Sequence, residues 1–175
     1  MYFANFPLIP YDSVGNGEFK VVTNLLRRVA IRSKVRTNTM LFDTYDVKEG
    51  ETPEMLADKL YGSSEYHWII LYCNNVTDRY HQWPKNQNQF LAYINDKYSD
   101  VDATHHYEIS QTSGDTTIKI NIGSDNTDYP TASIVTNYEY EEDLQNKKRK
   151  IRLIDPTYVE DFVAEFKKLM GESVL

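Results

Sequence analysis

The clearest sequence signals of secondary structure lie in residues 45–75, YDVKEGETPEMLADKLYGSSEYHWIILYCNN. Apolar and polar residues alternate over residues 45–48, which predicts a strand. Thr52 and Pro53 are suited to the N-cap and first position of a helix, and Gly62 is suited to its end. The order strand, helix, helix follows, because a second apolar stripe begins directly after the glycine.

That second helix is predicted to begin at Ser63 or Ser64, either of which can cap it. Its buried stripe lies at positions i, i+3, i+4 and i+7, occupied by Tyr66, Ile69, Ile70 and Cys73. Asn74 is predicted to end the helix in a left-handed conformation. The apolar face of the first helix comprises Met55, Leu56 and Leu60.

The N-terminal region is predicted to be an irregular arm, since Pro and Gly residues punctuate its first 17 positions. Tyr2, Phe3 and Phe6 supply aromatic anchors. A short helix is predicted over residues 23–28 from Leu25 and Leu26. Alternation over residues 29–36 predicts a strand with a basic outer face.

Beyond residue 77 the apolar period changes from helical to extended. A third helix is predicted on the face formed by Phe90, Leu91, Ile94 and Tyr98. Residues 105–109 and 116–122 then read as a β-hairpin with Ile118, Ile120 and Ile122 on one side. Residues 124–130 are predicted to form a loop, while residues 135–150 fit either a helix or an extended segment.

A C-terminal strand is predicted over residues 151–154, followed by a helix that Asp155 caps and Gly171 ends. The fold class is therefore α+β, in four segments. These are the N-terminal arm and strand (1–44), the compact strand-helix-helix module (45–76), a helix plus β-hairpin region (77–134), and a basic segment with strand and helix (135–175).

Composition excludes several classes of protein. The 175 residues include a single cysteine, Cys73, so no internal disulfide is possible, and no apolar run reaches the ~20 residues of a membrane span. The first residues lack the pattern of a secretory signal. Fourteen tyrosines favour contact surfaces that are buried only on assembly.

Charge changes sign along the chain. Residues 1–40 hold six Lys and Arg against two acids, residues 41–145 hold six against nineteen, and residues 146–175 hold seven against five. Two basic ends therefore flank an acidic middle. Either these segments neutralise one another within the fold, or the ends dock on acidic neighbours.

Residues suited to catalysis are few. Phosphate-binding, dinucleotide-binding and nucleophile-elbow motifs are absent from the sequence. His105 and His106 are strand neighbours and should point to opposite faces, which disfavours a shared metal. Cys73 lies on an apolar stripe and is expected to be inert. We therefore expect no enzymatic activity, no metal, no cofactor and no small-molecule substrate.

The strongest basic cluster comprises Lys147, Lys148, Arg149, Lys150 and Arg152. A nucleic-acid patch is disfavoured, because Glu139, Glu141, Glu142 and Asp143 lie just upstream and would repel phosphates. The cluster is predicted to bind another protein, and a solvated charged segment is the alternative. Reversing the charge of Lys147, Lys148 and Arg149 would separate the two.

Residues 45–75 resemble the lysin-motif (LysM) domain, a β-α-α-β module that often binds N-acetylglucosamine polymers. The matching positions are Tyr45, Val47, Gly50, Thr52, Leu56, Ala57, Gly62 and Asn74. Glu51 stands where the module usually has Asp, and Pro53 where it usually has Leu. The closing strand of the module has no match directly after Asn75.

A wider resemblance covers most of the chain, with residues 105–130 the weakest part. It rests on the aromatic start with Pro7, the module above, Trp83 followed by Pro84, and the basic run that precedes the last strand and helix. In these features the sequence is similar to the baseplate wedge subunits of contractile-tailed bacteriophages, the gene fifty-three product type.

That resemblance implies a structural virion protein that connects neighbouring wedges into a six-fold ring around the hub during assembly. The implied partners are the wedge core bundle and the sheath-proximal wedge protein, with no nucleic acid or membrane. The implied location is the tail baseplate, and the host cytoplasm during assembly. The candidate partner contacts are Tyr2, Phe3, Phe6, Tyr61, His67, Trp68, Trp83, Lys147, Lys148, Arg149, Lys150 and Arg152. The alternative function is a LysM-type module that binds peptidoglycan.

Overall fold

The computed structural model describes residues 2–27, 29–31 and 40–172, and its helices and small sheets confirm the α+β class. The helices are α1 (Pro53–Tyr61), α2 (His67–Cys73), α3 (Arg79–Gln82), α4 (Gln87–Lys97), α5 (Asn137–Arg149) and α6 (Val159–Glu172). The strands are β1 (Leu8–Tyr11), β2 (Lys20–Thr23), β3 (Phe42–Asp46), β4 (Thr104–Ser110), β5 (Lys119–Gly123), β6 (Ser133–Thr136) and β7 (Lys150–Ile154). Short 3₁₀ turns cover Tyr2–Asn5, Ser64–Tyr66 and Pro156–Tyr158.

The chain forms two compact units that interleave in sequence. Unit 1 comprises residues 1–46, 51–79 and 151–175, and unit 2 comprises residues 47–50 and 80–150. Strand β1 pairs with β2, β3 pairs with β7, and the remaining strands form a sheet in the order β5-β4-β6.

Helix α1 forms as its capping residues predict. The N–H of Met55 donates to Thr52 Oγ1 at 3.3 Å, and Pro53 lies in the first turn. Gly62 takes a left-handed conformation at φ 72°, and its N–H donates to the carbonyl oxygen of Asp58. Both helix ends are thus satisfied by residues next to them in sequence.

Helix α2 begins after the turn that Ser63 caps, and it buries Ile69, Ile70 and Cys73 as predicted. The predicted left-handed end at Asn74 is wrong, because that residue has φ −99° and the positive φ of 54° belongs to Asn75. The reason is the Asn74 side chain, which reaches strand β7. Its Nδ2 donates to the carbonyl oxygen of Arg152, and its Oδ1 accepts from the Arg152 N–H, both at 2.8 Å.

Strand β7 is the hydrogen-bonded partner of strand β3. The N–H of Val47 donates to the Arg149 carbonyl, and the N–H of Asp155 donates to the Leu41 carbonyl. These two pairs lie at opposite ends of the ladder, so β3 and β7 run antiparallel. The first strand itself lies at Phe42–Asp46, slightly before the predicted residues 45–48.

The core of unit 1 gathers residues from distant parts of the sequence. Its buried members are Phe6, Trp68, Ile69, Cys73, Ile154, Val159, Phe166 and Met170. Helix α6 follows a turn that Asp155 caps, as predicted, and it runs through Gly171 to Glu172. This core holds the N-terminal arm, α2 and α6 together.

The prediction of a short helix over residues 23–28 is wrong for residues 23–27, which the structure describes. Thr23 ends β2, and Leu25 and Leu26 occupy an exposed turn. The N–H of Leu26 donates to the side chain of Asn24 at 3.1 Å, and such local bonds compete with helix formation. Most of the strand predicted over residues 29–36 lies outside the described residues.

In unit 2, helix α4 buries Phe90 and Ile94, whereas Leu91 is exposed, contrary to the predicted face. The predicted hairpin is β4 and β5, and β6 adds a third strand on the other side of β4. Residues 135–150, predicted as either a helix or an extended segment, form the end of β6 followed by helix α5. A capping box between Thr136 and Glu139 begins the helix.

Candidate partner-binding surfaces

The aromatic N-terminal arm packs on the core of its own unit. Phe6 is buried, and the ring of Tyr2 lies 5.2 Å from that of Trp68 and 5.7 Å from that of Phe166. Phe3 remains exposed while its ring contacts Tyr2. Of these three candidate contacts, Phe3 has the most exposed side chain.

Both tryptophans among the candidate contacts are buried. Trp68 belongs to the core of unit 1, and Trp83 is equally buried in unit 2. The Tyr61 hydroxyl donates to the Ile154 carbonyl at 3.1 Å, and desolvation raises its pKa above the usual value. His67 Nδ1 lies 2.9 Å from the Ser64 carbonyl oxygen. Each of the four has a structural role within the chain.

The run of cations at the end of α5 is divided between internal bonds and the surface. Lys148 Nζ donates to the His81 carbonyl at 3.0 Å, and burial next to Lys85 lowers its pKa. Arg149 pairs with Glu49 at 3.1 Å. Lys147 and Lys150 are exposed, although Lys147 also pairs with Asp143 one turn earlier.

Arg152 completes this cluster from the adjoining strand. Its guanidinium lies 4.7 Å from the centre of the Phe42 ring, in unit 1. Within unit 2, the run Lys147 to Lys150 is therefore divided between internally bonded and exposed side chains. Successive residues of a helix point about 100° apart, so a run in sequence is spread around the axis.

The LysM-matching positions include buried apolar residues and a hydrogen-bonded tyrosine. Leu56 and Ala57 are completely buried, and Val47 is nearly so. The Tyr45 hydroxyl donates to the Glu51 carboxylate at 2.9 Å, and Lys59 Nζ lies 3.3 Å from both groups. Bonds to Tyr45 and Glu51 raise the pKa of Lys59. Gly50 turns the chain at φ 77°.

The expectation that His105 and His106 point apart is wrong. Their Nδ1 atoms lie 2.8 Å apart, and His106 Nε2 lies 3.1 Å from the Glu108 carboxylate. The ladder between β4 and β6 shifts register between Thr104 and His106, so regular alternation is interrupted there. The ring of His105 stacks on Tyr140 with centroids 3.9 Å apart.

Within the described ranges, no group of three or more His, Cys, Asp or Glu side chains could hold a metal ion. The same ranges contain no helix long and apolar enough to cross a membrane. Cys73 is buried. A cavity of about 1010 Å³ lies in unit 1, with Tyr2, Trp68, Tyr72 and Glu65 among its lining residues.

Two exposed apolar surfaces were not among the candidate sites. The first, which we call the hairpin surface, belongs to β1, β2 and their flanks. Seven of its side chains are exposed over more than half of their area: Leu8, Tyr11, Val14, Phe19, Val21, Leu25 and Leu26. The pattern that could have revealed it is the alternation of apolar residues on both sides of the Gly15 and Gly17 turn.

The second, which we call the sheet surface, lies on one face of β5-β4-β6. Ile109 is opposite Ile120, and Tyr107 is opposite Ile134. Ile118, Ile120 and Ile134 are exposed. The isoleucine alternation did predict that one side of β5 would be apolar, but not that it would lack a covering layer within the described residues.

Comparison with known proteins identifies the family. The model of the phage family described as base plate wedge protein 53 matches residues 1–129. Baseplate wedge protein gp53 of Enterobacteria phage T4 is 28% identical over 97 residues, which cover 55% of this chain and 44% of that relative. The match thus spans less than half of the relative's length. The family match covers most of this chain, which therefore belongs to the base plate wedge protein 53 family, structural proteins of the phage tail baseplate.

Proposed function

We propose that this chain connects neighbouring wedges into the ring around the baseplate hub while the tail is assembled. Family membership supports a structural role in the baseplate. A connector must also present at least two surfaces to different partners. The observation that carries the proposal is the presence of one exposed apolar surface on each unit.

The two surfaces belong to different units, which suits two different partners. The hairpin surface in unit 1 lies within residues 8–26 and exposes seven large apolar side chains. The sheet surface in unit 2 presents isoleucines from β5 and β6. Exposed apolar area of this kind marks sites of protein contact in a soluble protein.

Within unit 1, the LysM-like module is proposed to act as a rigid clip. Strand β3, helices α1 and α2, and strand β7 give the order β-α-α-β, with unit 2 inserted before the last strand. The paired bonds between Asn74 and Arg152 support this interpretation, because they fix the end of α2 to β7. We propose that β7 belongs to the same module as residues 45–76.

The proposed partners are the wedge core bundle and the sheath-proximal wedge protein. The test is size-exclusion chromatography with light scattering on this chain, alone and mixed with the other wedge proteins of the same virus. We expect stoichiometric co-elution, and larger ring-like species when all partners are present. A chain that stays monomeric in every mixture would contradict the connector.

The basic cluster can be tested with two variants of equal charge change. Lys147→Glu with Lys150→Glu alters exposed cations, whereas reversing Lys148 or Arg149 would also break bonds inside unit 2. We expect the first pair of changes to weaken ring formation at physiological salt with the fold intact. The control is Lys167→Glu with Lys168→Glu on α6. Normal rings from both double variants would mean that the cluster is only solvated surface.

A second candidate function is peptidoglycan binding, which the cavity in unit 1 supports. Tyr2, Trp68 and Tyr72 supply aromatic faces, and Glu54 and Glu65 supply acceptors, which together suit a sugar chain. Desolvation, with Tyr2 nearby, raises the pKa of Tyr72 to about 12, so its hydroxyl stays protonated. Soluble chitin fragments at millimolar concentration should perturb NMR signals of these residues. An unchanged spectrum would remove this function.

A further inference from the structure

We propose that the β1-β2 hairpin is an insertion element that enters an uncharged apolar cleft formed by other baseplate proteins. This inference rests on the proposed connector function and specifies how unit 1 makes its contact. It depends on four observations: the exposure of both hairpin faces, the fixed root, the organised tip and the shortage of charge.

Both faces of the hairpin carry exposed apolar side chains, although Ile9 is half-buried. The register pairs Leu8 with Thr23 and Pro10 with Val21, so Leu8 and Val21 share one face. Tyr11 and Val22 lie on the other face. Leu8, Val21, Tyr11 and Val22 are all exposed. A partner that covers a single face would leave half of this apolar area in water, which favours a two-sided cleft.

The root of the hairpin is fixed to the core of unit 1. Phe6 and Asn24, the residues on either side, are buried. The N–H of Asn24 donates to the carbonyl oxygen of Pro7 at 2.8 Å, which closes the base of the hairpin. An isolated two-stranded hairpin is marginally stable in water, so this anchoring and a covering partner would both stabilise it.

The tip is organised by a single carboxylate. Asp12 accepts hydrogen bonds from the N–H groups of Val14, Gly15, Asn16 and Gly17 at 2.7 to 3.4 Å. These bonds lower the pKa of Asp12, and the bond from Gly17 contributes most. Its charge is therefore directed into the loop, while Val14 and Phe19 are held exposed. A preorganised tip loses less conformational entropy when it binds.

The charge and backbone of the hairpin favour a protein cleft over two other occupants. Asp12 and Glu18 oppose Lys20, so the hairpin lacks the excess of cations that draws a loop to an anionic membrane. Pro10 lacks an N–H, which weakens β1 as a template for another strand and disfavours pairing with a second copy. Of the eight paired strand residues only Lys20, opposite Tyr11, is charged, so the strand faces match an uncharged protein surface. Seven side chains exposed to this extent can supply a standard interface of ~800 Å² per partner.

The test measures binding of the full chain to wedges assembled without it. One variant changes the first face (Leu8→Thr with Val21→Thr), and another changes the second (Tyr11→Thr with Val22→Thr). Thr keeps the strand preference while removing apolar area. We expect each variant to weaken binding by ~30-fold or more, the effect of losing an interface hot spot. Met55→Thr with Leu169→Thr, exposed elsewhere in unit 1, is the matched control and should bind normally.

The outcomes separate this inference from the connector itself. Loss of binding in one face variant alone would overturn the cleft, as would normal binding by both. Self-association of the wild type that both variants abolish would instead identify a second copy as the occupant. Co-sedimentation with phosphatidylglycerol vesicles that the variants abolish would identify a membrane. If the wild type fails to bind wedges at all, the connector function fails first.

Discussion

The interior of unit 1 is built from aromatic and aliphatic side chains, whereas the interior of unit 2 includes several polar and charged ones. In unit 1, Trp68 packs against Phe166 with ring centres 4.7 Å apart. In unit 2, the buried side chains include His106, Asn137, Glu141 and Gln145. Unit 1 therefore depends mainly on apolar burial, and unit 2 depends more on hydrogen bonds made by buried polar side chains.

Each unit contains one of the two tryptophans, which allows this comparison to be measured. Trp68 lies in unit 1 and Trp83 in unit 2. Replacing either one by Phe leaves the fluorescence of the other as a reporter of its own unit. Every variant below is compared with the single-tryptophan protein from which it is made.

The largest effect is expected from Phe166→Ala in unit 1. Phe166 is buried between Trp68, Tyr2 and Tyr72, so truncation removes apolar contacts and leaves a cavity. The free energy of unfolding should fall by ~3–5 kcal/mol, measured by urea denaturation with Trp68 fluorescence. Leu169→Ala, at a partly exposed position of the same helix, should cost under ~1 kcal/mol. Equal losses would mean that the aromatic cluster is not the source of unit 1 stability.

A smaller effect is expected from Glu141→Gln in unit 2. The Glu141 carboxylate accepts from Lys97 Nζ at 2.6 Å and from the Tyr98 hydroxyl at 2.9 Å, and its bond raises the pKa of Lys97. The amide keeps the shape but loses the charge, so the cost should be ~2 kcal/mol by Trp83 fluorescence. Glu142→Gln, the exposed neighbour, should be neutral. A neutral Glu141→Gln would show that the buried ion pair does not stabilise unit 2.

The sequence could predict helix α1 because its signals are local. Thr52, Pro53 and Gly62 act within one turn of the helix ends that they define. The partner of β3 could not be predicted in the same way, because β7 lies about a hundred residues later in the sequence. Pairing between such distant segments depends on the whole fold, which a local pattern does not record.

The basic cluster and the hairpin surface also depend on contacts between residues far apart in the sequence. The run Lys147 to Lys150 was recognised from sequence, but its division between internal bonds and solvent depends on the positions of Glu49 and His81. The hairpin surface was missed because the Pro and Gly residues among the first 17 positions led to the prediction of an irregular arm. Only the structure shows that both of its faces carry exposed apolar side chains.

Two matched helix caps test local stability in the two units. Thr52→Ala removes one hydrogen bond to the start of α1, whereas Thr136→Ala removes one side of a capping box at α5. Each should cost ~1 kcal/mol, and Thr136→Ala should cost more because Glu139 also loses its bond to the hydroxyl. The measurement uses the tryptophan of the same unit. A larger loss from Thr52→Ala would contradict this order.

The smallest effect is expected in unit 2, as a pH dependence of its free energy of unfolding. Burial, with His106 next to it, lowers the pKa of His105 below the usual value, while Glu141 opposes the shift and Lys97 adds to it. The Nδ1 atoms of His105 and His106 lie 2.8 Å apart, so a proton added to His105 would lie against the neighbouring ring. The unfolded chain binds protons more readily, so stability is present above pH ~6.5 and is lost as the pH falls below that value.

His105→Phe separates this effect from the titration of other groups. The phenyl ring can still stack on Tyr140, but it cannot be protonated. Between pH 7.5 and 5.5, the wild-type free energy of unfolding from Trp83 fluorescence should fall more steeply than that of the variant. His81→Gln, at an exposed position of the same unit, should keep the wild-type slope. Parallel slopes for wild type and His105→Phe would mean that the histidine pair does not link unit 2 to pH.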